Sequence, residues 1–232
     1  VRPESFVEIN NFYTTTVYEK GAEVIGMLKR LVGDEAYQAA LDLYFDRHDG
    51  QAATIEDWLR VFSDTTGRDL TQFKRWYQQA GTPKVSVSDD WTDGVYTLTL
   101  RQATAPTPGQ PDKAPFVIPV AVGLLNPNGD EVVPTTVLEL TETQQSFRFT
   151  GLASRPIPSL LRGFSAPVML DDPITSADRA FLLAHDTDPF AKWEAGRGLA
   201  RAGIAAMVLR AKGPDPAWLD GLRATLRDDS VD

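Results

Sequence analysis

Apolar residues recur through the first third of the chain at helical spacing, switch to strict alternation in the middle, and return to helical spacing at the end. Val17, Val24, Ile25, Leu28, Leu31 and Val32 form one helical stripe that Gly33 can close. Thr16 and Glu19 have the spacing of a capping box, each side chain satisfying the other's free backbone N–H, so this helix is expected to begin at Thr16. Asp34 is expected to cap a second helix with Tyr37, Ala40, Leu41, Tyr44 and Phe45 inward, ending near "RHDG" at Gly50. Thr54-Ile55-Glu56-Asp57 opens a third, carrying Trp58, Leu59 and Phe62 and stopping near Gly67. A fourth begins at Asp69, turns Leu70, Phe73, Trp76 and Tyr77 inward, and ends at "AGTP", Ala80 to Pro83.

From Lys84 the period becomes two. "KVSVS" and "VYTLTLRQ" alternate apolar and polar residues, and "DDWTDG" between them reads as a hairpin turn. A proline-rich loop from Ala103 to Pro115 follows. Then come short strands, "FVIPVAVGLL", "EVVP", "TVLEL", "SFRFTGL" and "APVML", split by Pro/Gly turns such as "NPNGD". This spacing predicts an all-β sandwich over roughly 84–170. Pro119 inside "FVIPVAV" predicts an edge position or a bulge, since proline cannot donate to a ladder. After Asp171 the helical period returns. Ser176 is the expected cap of one helix, and Asp188, with Pro189 at the first helical position, of the next. A last amphipathic piece is "DPAWLDGLRATLRD". The fold class is therefore multidomain, with α and β segregated: a helical segment over 1–83, an all-β sandwich over 84–172, and a second helical segment over 173–232. Such segregation argues against a βαβ fold.

The 232 residues are enough for one large domain or two ordinary ones. With 42% hydrophobic and 24% charged residues, most of the chain is expected to fold. A formal charge of −9 without an offsetting basic run argues against nucleic acid as a partner. There are no cysteines, which excludes disulfides and thiolate metal sites and fits a reducing, cytoplasmic compartment. No apolar run reaches the length of about 18 residues that a membrane span needs. The chain starts "VRPESFVEIN" and stops "LRDDSVD", and both ends are expected to be cuts within a longer protein.

The two histidines, His48 and His185, stand in different predicted domains, so no His-Glu-x-x-His site can form within this chain. Both read as surface or helix-end residues. No Gly-x-Ser-x-Gly elbow, Walker loop or dinucleotide fingerprint is present. Asp171-Asp172 could be a catalytic carboxylate pair, but adjacent acids ahead of a helix are ordinarily solvated. Trp76 and Tyr77 fit core packing. Tyr18 poses the sharper question. With Thr16 as cap it is the second helical residue, in the turn where the partial charge is positive. There a phenol becomes a better hydrogen-bond donor toward a developing oxyanion. The alternative is that it packs with Ala22 and Ile25 on the same face.

"NNFYTTTVYEKGAEVIGMLKRLVGDEAYQAALDLYFDRHDGQAAT" resembles the later part of the catalytic domain of the aminopeptidase N family, the zinc-dependent gluzincins, and is most similar to its bacterial members. "FKRWYQQAGTPKVSV" resembles that family's junction with a following β-sandwich. The similarity is strongest from Phe6 to Val87 and continues through "FSAPVML". The resemblance implies removal of single N-terminal residues from peptides, with zinc polarising the scissile carbonyl and a glutamate as general base. It implies that Tyr18, in "VYEKG", donates to the tetrahedral oxyanion, that Tyr13, in "NNFY", lines the pocket for the first side chain, and that Asn10 lies beside it. It further implies that residues 1–83 end a catalytic domain and residues 173–232 start a helical one. The zinc ligands, the catalytic glutamate and the Gly-x-Met-Glu-Asn loop of the family are absent from this sequence. No metal is therefore expected on this chain, which is expected to be inactive alone. Its expected partners are peptide substrates of the parent and the remaining domains of the same polypeptide, with no nucleic acid and no membrane. Helices stripped of those domains are expected to self-associate. A scaffold or peptide-binding role without catalysis is the competing reading.

Overall fold

In the computed structural model, which describes residues 7–210, 213 and 216–227, side-chain caps start several of the helices. Asp57 N donates to Thr54 Oγ1 at 3.2 Å, and Thr54 N donates to Asp57 Oδ2 at 3.0 Å. This box opens helix α3 (Ile55–Thr66), and Gly67, left-handed at φ 69°, closes it. Before it stand α1 (Gly21–Val32) and α2 (Asp34–His48). Gly33, at φ 85°, is both the stop of α1 and the N-cap of α2, so Asp34 is the first residue of α2 and not its cap. Within α2 Ala40 is buried and Phe45 is 60% exposed, correcting its expected inward place. The expected fourth helix shrinks to α4 (Arg75–Gln78), preceded by turns, although Leu70, Phe73, Trp76 and Tyr77 are all buried as expected. Residues 1–6, 211–212, 214–215 and 228–232, which fall in the two expected helical segments, lie outside the described residues.

Two antiparallel-dominated sheets follow. Strands β1 (Lys84–Thr92), β2 (Val95–Ala103), β3 (Ile118–Leu125), β4 (Glu131–Leu140), β5 (Gln144–Phe149), β6 (Ile157–Leu160) and β7 (Met169–Asp171) form the orders β5-β2-β1-β7 and β4-β3-β6. The first hairpin is tighter than expected. Thr92 pairs with Val95, leaving Asp93 (φ 51°) and Gly94 (φ 76°) as a two-residue loop of the kind that matches strand twist. Asp89 to Thr92 are thus strand, not turn. Pro119 behaves as expected of an edge: β6 pairs with β3 at Val122 to Leu125, and Pro119 lies in the half of β3 beyond that pairing.

A single apolar core runs from Val24, Leu28 and Phe62 through Trp76 to Tyr96, Ile118 and Leu140, so the first helices and the sandwich share an interior. Trp76 is the hinge pin. Its ring lies 4.3 Å from that of Phe116, and its Nε1 donates to Val117 O at 2.8 Å. Beyond the sandwich, α5 (Ser176–His185), α6 (Pro189–Arg210) and α7 (Pro216–Leu226) pack on a second cluster of Leu125, Leu182, Leu183, Ala195 and Leu199. The α5 cap is Thr175, boxed with Asp178, one residue before the expected Ser176. Asp188 caps α6 as expected, its Oδ1 accepting from Ala191 N at 2.7 Å. Among the described residues no helix is long and apolar enough to cross a membrane.

Candidate functional site

The segment ahead of α1 is where local structure departs from the expected pattern. Val17 N and Tyr18 N both donate to Thr14 O, at 2.9 and 3.0 Å, so the chain is already helical at Thr15, before Thr16. Thr15 is right-handed helical at φ −49° and makes no side-chain cap bond. The expected Thr16–Glu19 capping box does not form, because residue 16 no longer has free N-terminal amides to serve. Thr16–Lys20 is instead one π-helical turn feeding α1. Such turns are rare and recur at functional sites, since the wider ring redirects side chains. Tyr18 sits at its centre.

A short 3₁₀ turn, Ile9–Phe12, precedes it. Asn10 O accepts from Tyr13 N at 3.3 Å, which holds Asn10 and Tyr13 on one turn. The rings of Tyr13 and Tyr18 stack at 6.1 Å with 30° between planes, and both are exposed, at 55% and 60%. The structure thus brings Asn10, Tyr13 and Tyr18 onto one surface. Tyr18 also borders an open groove of about 740 Å³ with Phe12, Val17, Ala22, Ile25, Tyr44 and Trp58. A larger groove, about 1030 Å³, runs along α6 and holds none of the three candidates.

Two residues that support this surface were not marked as site residues by the sequence, although Tyr77 was expected in the core. Lys20, the last residue of the π-turn, donates from Nζ to Gly81 O at 2.8 Å and lies 5.8 Å from the Trp76 ring centroid. Burial pushes its pKa down. Tyr77 borders the groove beside Trp58, and burial pushes its phenol up to about 12, the Trp58 indole opposing that shift.

The remaining candidates are structural. Asp171 pairs with Lys84 and Asp172 with Arg179, each at 2.7 Å. The hydrogen bond and charge of Lys84 hold Asp171 below the usual carboxylate range, while burial raises Asp172 against the pull of Arg179. They clip β7 and the start of α5 in place and face different partners. His48 packs on Tyr44 at 5.4 Å and His185 on Phe181 at 4.7 Å. Among the described residues no group of three or more His, Cys, Asp or Glu could hold a metal ion. The donor set here therefore does not fit zinc, and no chemical step can be routed through a metal on these residues.

Residues 1–77 match the peptidase family M1 domain. Residues 81–173 match a domain of unknown function (DUF3458) with an Ig-like fold, and residues 176–232 its partner described as ARM repeats. Aminopeptidase N of Escherichia coli is 41% identical over 100% of this chain and 28% of its own length. Aminopeptidase N of Caulobacter vibrioides is 46% identical over 100% of this chain and 27% of its own. The crystal structure of Legionella pneumophila aminopeptidase A in complex with aspartic acid superposes with a TM-score of 0.90 at 30% identity, covering 99% of this chain and 26% of that one. The chain spans little more than a quarter of the length of these relatives. Over its whole length it matches a segment of an aminopeptidase N-type protein of peptidase family M1.

Proposed function

We propose that this chain is part of a zinc-dependent aminopeptidase that hydrolyses N-terminal residues from peptides in the cytoplasm, and that Tyr18 is its oxyanion donor. The observation that carries this reading is the exposed Tyr13–Tyr18 stack on a π-helical turn, in a segment similar to enzymes named aminopeptidase N. Hydrolysis of a peptide bond places negative charge on the scissile carbonyl oxygen. The Tyr18 O–H, exposed and held by the π-turn, is suited to donate to that oxygen as the charge grows. Tyr13, stacked against it, and Asn10 on the same turn line the pocket for the first side chain of the peptide. The metal, its ligands and the general base belong to the remainder of the polypeptide. Residues 1–83 are the end of the catalytic domain, 84–172 the sandwich, and 173–232 the start of a helical domain.

Two measurements test this. Tyr18→Phe in the longer polypeptide is expected to lower kcat on the order of a hundredfold or more, the usual loss for one oxyanion donor, with little change in KM. An unchanged kcat removes Tyr18 from the mechanism. The chain alone, with added zinc and an aminoacyl chromogenic substrate, is expected to show no turnover. Turnover there would show that the metal site assigned elsewhere lies within this chain.

A further inference from the structure

The turn that carries Tyr18 has little of its own to hold it in place. Neither the 3₁₀ turn Ile9–Phe12 nor the π-turn Thr16–Lys20 has a buried residue. Apolar burial, which fixes α1 through Val24, Met27 and Leu28, therefore does not fix the turn ahead of it. A π-turn is also a rare geometry, so something outside it must favour it here.

Lys20 supplies that hold. Among the described residues it is the member of the π-turn whose side chain bonds a distant segment, donating from Nζ to Gly81 O at 2.8 Å with the ammonium over the Trp76 ring. A half-buried ammonium is ordinarily matched by a carboxylate. Here the matches are a neutral carbonyl and an indole face, and desolvation opposes the charge. A lysine kept against that opposition fixes geometry. Tyr18 shares the constraint: its carbonyl accepts from Gly21 N, directly after Lys20, so Tyr18 and Lys20 belong to one hydrogen-bonded turn.

The far end of the bond is itself clamped. Gly81 stands at φ 100°, in the region that favours glycine, and a Cβ there would fall 2.9 Å from Thr104 Cγ2. Gln110 Nε2 donates to Gln78 O at 2.9 Å, Gln110 Oε1 accepts from Ala80 N at 2.8 Å, and Lys113 Nζ donates to Ala80 O at 3.0 Å. The proline-rich loop after β2 thus holds residues 78–81, and with them the acceptor that Lys20 uses. Lys20 lies in the residues matched by the family M1 domain, whereas Gly81 and the loop lie in those matched by the Ig-like domain of unknown function.

We propose that Lys20 is a positioning residue for Tyr18, and that the Ig-like domain, through its proline-rich loop and Gly81, helps aim the Tyr18 hydroxyl. The proposal rests on the reading of Tyr18 as the oxyanion donor. The sandwich then contributes to the reaction through one hydrogen bond and needs no contact with the peptide to do so.

Lys20→Met tests this, since it keeps the aliphatic stem and removes the donor. In the longer polypeptide it is expected to lower kcat about ten- to a hundredfold with KM little changed, because a small misplacement of a reacting group carries a loss of that order. In a Tyr18→Phe background the same substitution is expected to lower kcat by no more than about twofold, since the hydroxyl it aims is gone. Gly81→Ala, which displaces the acceptor and leaves Lys20 in place, is expected to reproduce both results, and it carries the test alone if Lys20→Met does not fold. Equal losses with and without the Tyr18 hydroxyl, or a raised KM at constant kcat, would make Lys20 a structural residue only and overturn the proposal. So would an unchanged kcat in either variant while Tyr18→Phe is impaired. Failure of the underlying reading looks different: Tyr18→Phe alone would then leave kcat unchanged, and the proposal falls with it.

Discussion

Arg162 donates from Nη2 to Asp186 Oδ1 at 3.0 Å, with side-chain exposures of 1% and 0%. The guanidinium reaches further: Nε donates to Ser159 Oγ at 2.8 Å, and Nη1 to Thr135 Oγ1 at 2.9 Å and to Glu131. Ser159 lies on β6, Glu131 and Thr135 on β4, and Asp186 caps the end of α5. Asp186 Oδ1 also accepts from Asp188 N at 3.0 Å, and Asp188 caps α6. One buried cation thus ties the sandwich to the turn between α5 and α6.

Arg162→Ala is expected to destabilise the chain by about 3–5 kcal/mol, since it strands Asp186 as a buried, uncompensated charge. Replacing both partners, Arg162→Met with Asp186→Leu, is expected to lose much less, because the only charge left without its partner is the carboxylate of Glu131, whose side chain is 26% exposed. Urea denaturation of the three proteins checks this. A double variant as unstable as Arg162→Ala would mean that packing and not charge holds the joint.

Glu131 gives the same joint a pH dependence. Burial raises its pKa, but hydrogen bonds from Arg162 and Thr187 and the charge of Arg162 outweigh that and hold it below the usual range. Its stabilisation is therefore complete above the unfolded value of about 4.3 and is lost as pH falls through the lower folded value. Stability measured from pH 6 down to about pH 3 should fall less steeply for Glu131→Gln than for the parent sequence. Parallel slopes would remove Glu131 from the acid sensitivity of this joint.

Trp76 performs the corresponding task for the first helices. Trp76→Phe keeps most of the ring but leaves Val117 O without its donor, for an expected loss of about 1–3 kcal/mol. Trp76→Ala opens a cavity as well and is expected to lose about 3–5 kcal/mol. No loss in Trp76→Phe, read by chemical denaturation, would show that the indole N–H contributes nothing.

What the sequence made legible was local. Thr54 with Asp57 and Asp188 with Ala191 are caps decided within four residues, and both form. Core positions such as Phe73 and Trp76 follow from periodicity and are buried even where the expected helix is only a turn. Thr16 with Glu19 has an equally good spacing and fails, because Thr14 starts the helix earlier and leaves nothing for Thr16 to cap. The joint around Arg162 left almost no local trace: Ser159 is three residues away, but Glu131 and Asp186 meet it only through the fold. The candidate site divides the same way. "VYEKG" marked Tyr18 in the sequence, but the π-turn that aims it and the stack with Tyr13 depend on three-dimensional packing.

Gly123 offers the strictest test of the joint. It sits in β3 with the Arg162 guanidinium laid across it: a Cβ added there would fall 2.1 Å from Arg162 Cζ. An arginine on a free surface would swing away from such a methyl, but this one is held by Ser159, Thr135, Glu131 and Asp186. Gly123→Ala must therefore expel the guanidinium from its partners, and its expected loss approaches that of Arg162→Ala, about 3 kcal/mol or more. In an Arg162→Ala background the obstruction is gone, and alanine is easily accommodated in a strand. There Gly123→Ala should be close to neutral, so the coupling energy between the two positions should be about the full single-variant loss, roughly 3 kcal/mol. Additive losses in that double-mutant cycle would mean that the glycine is kept for some reason other than the arginine above it.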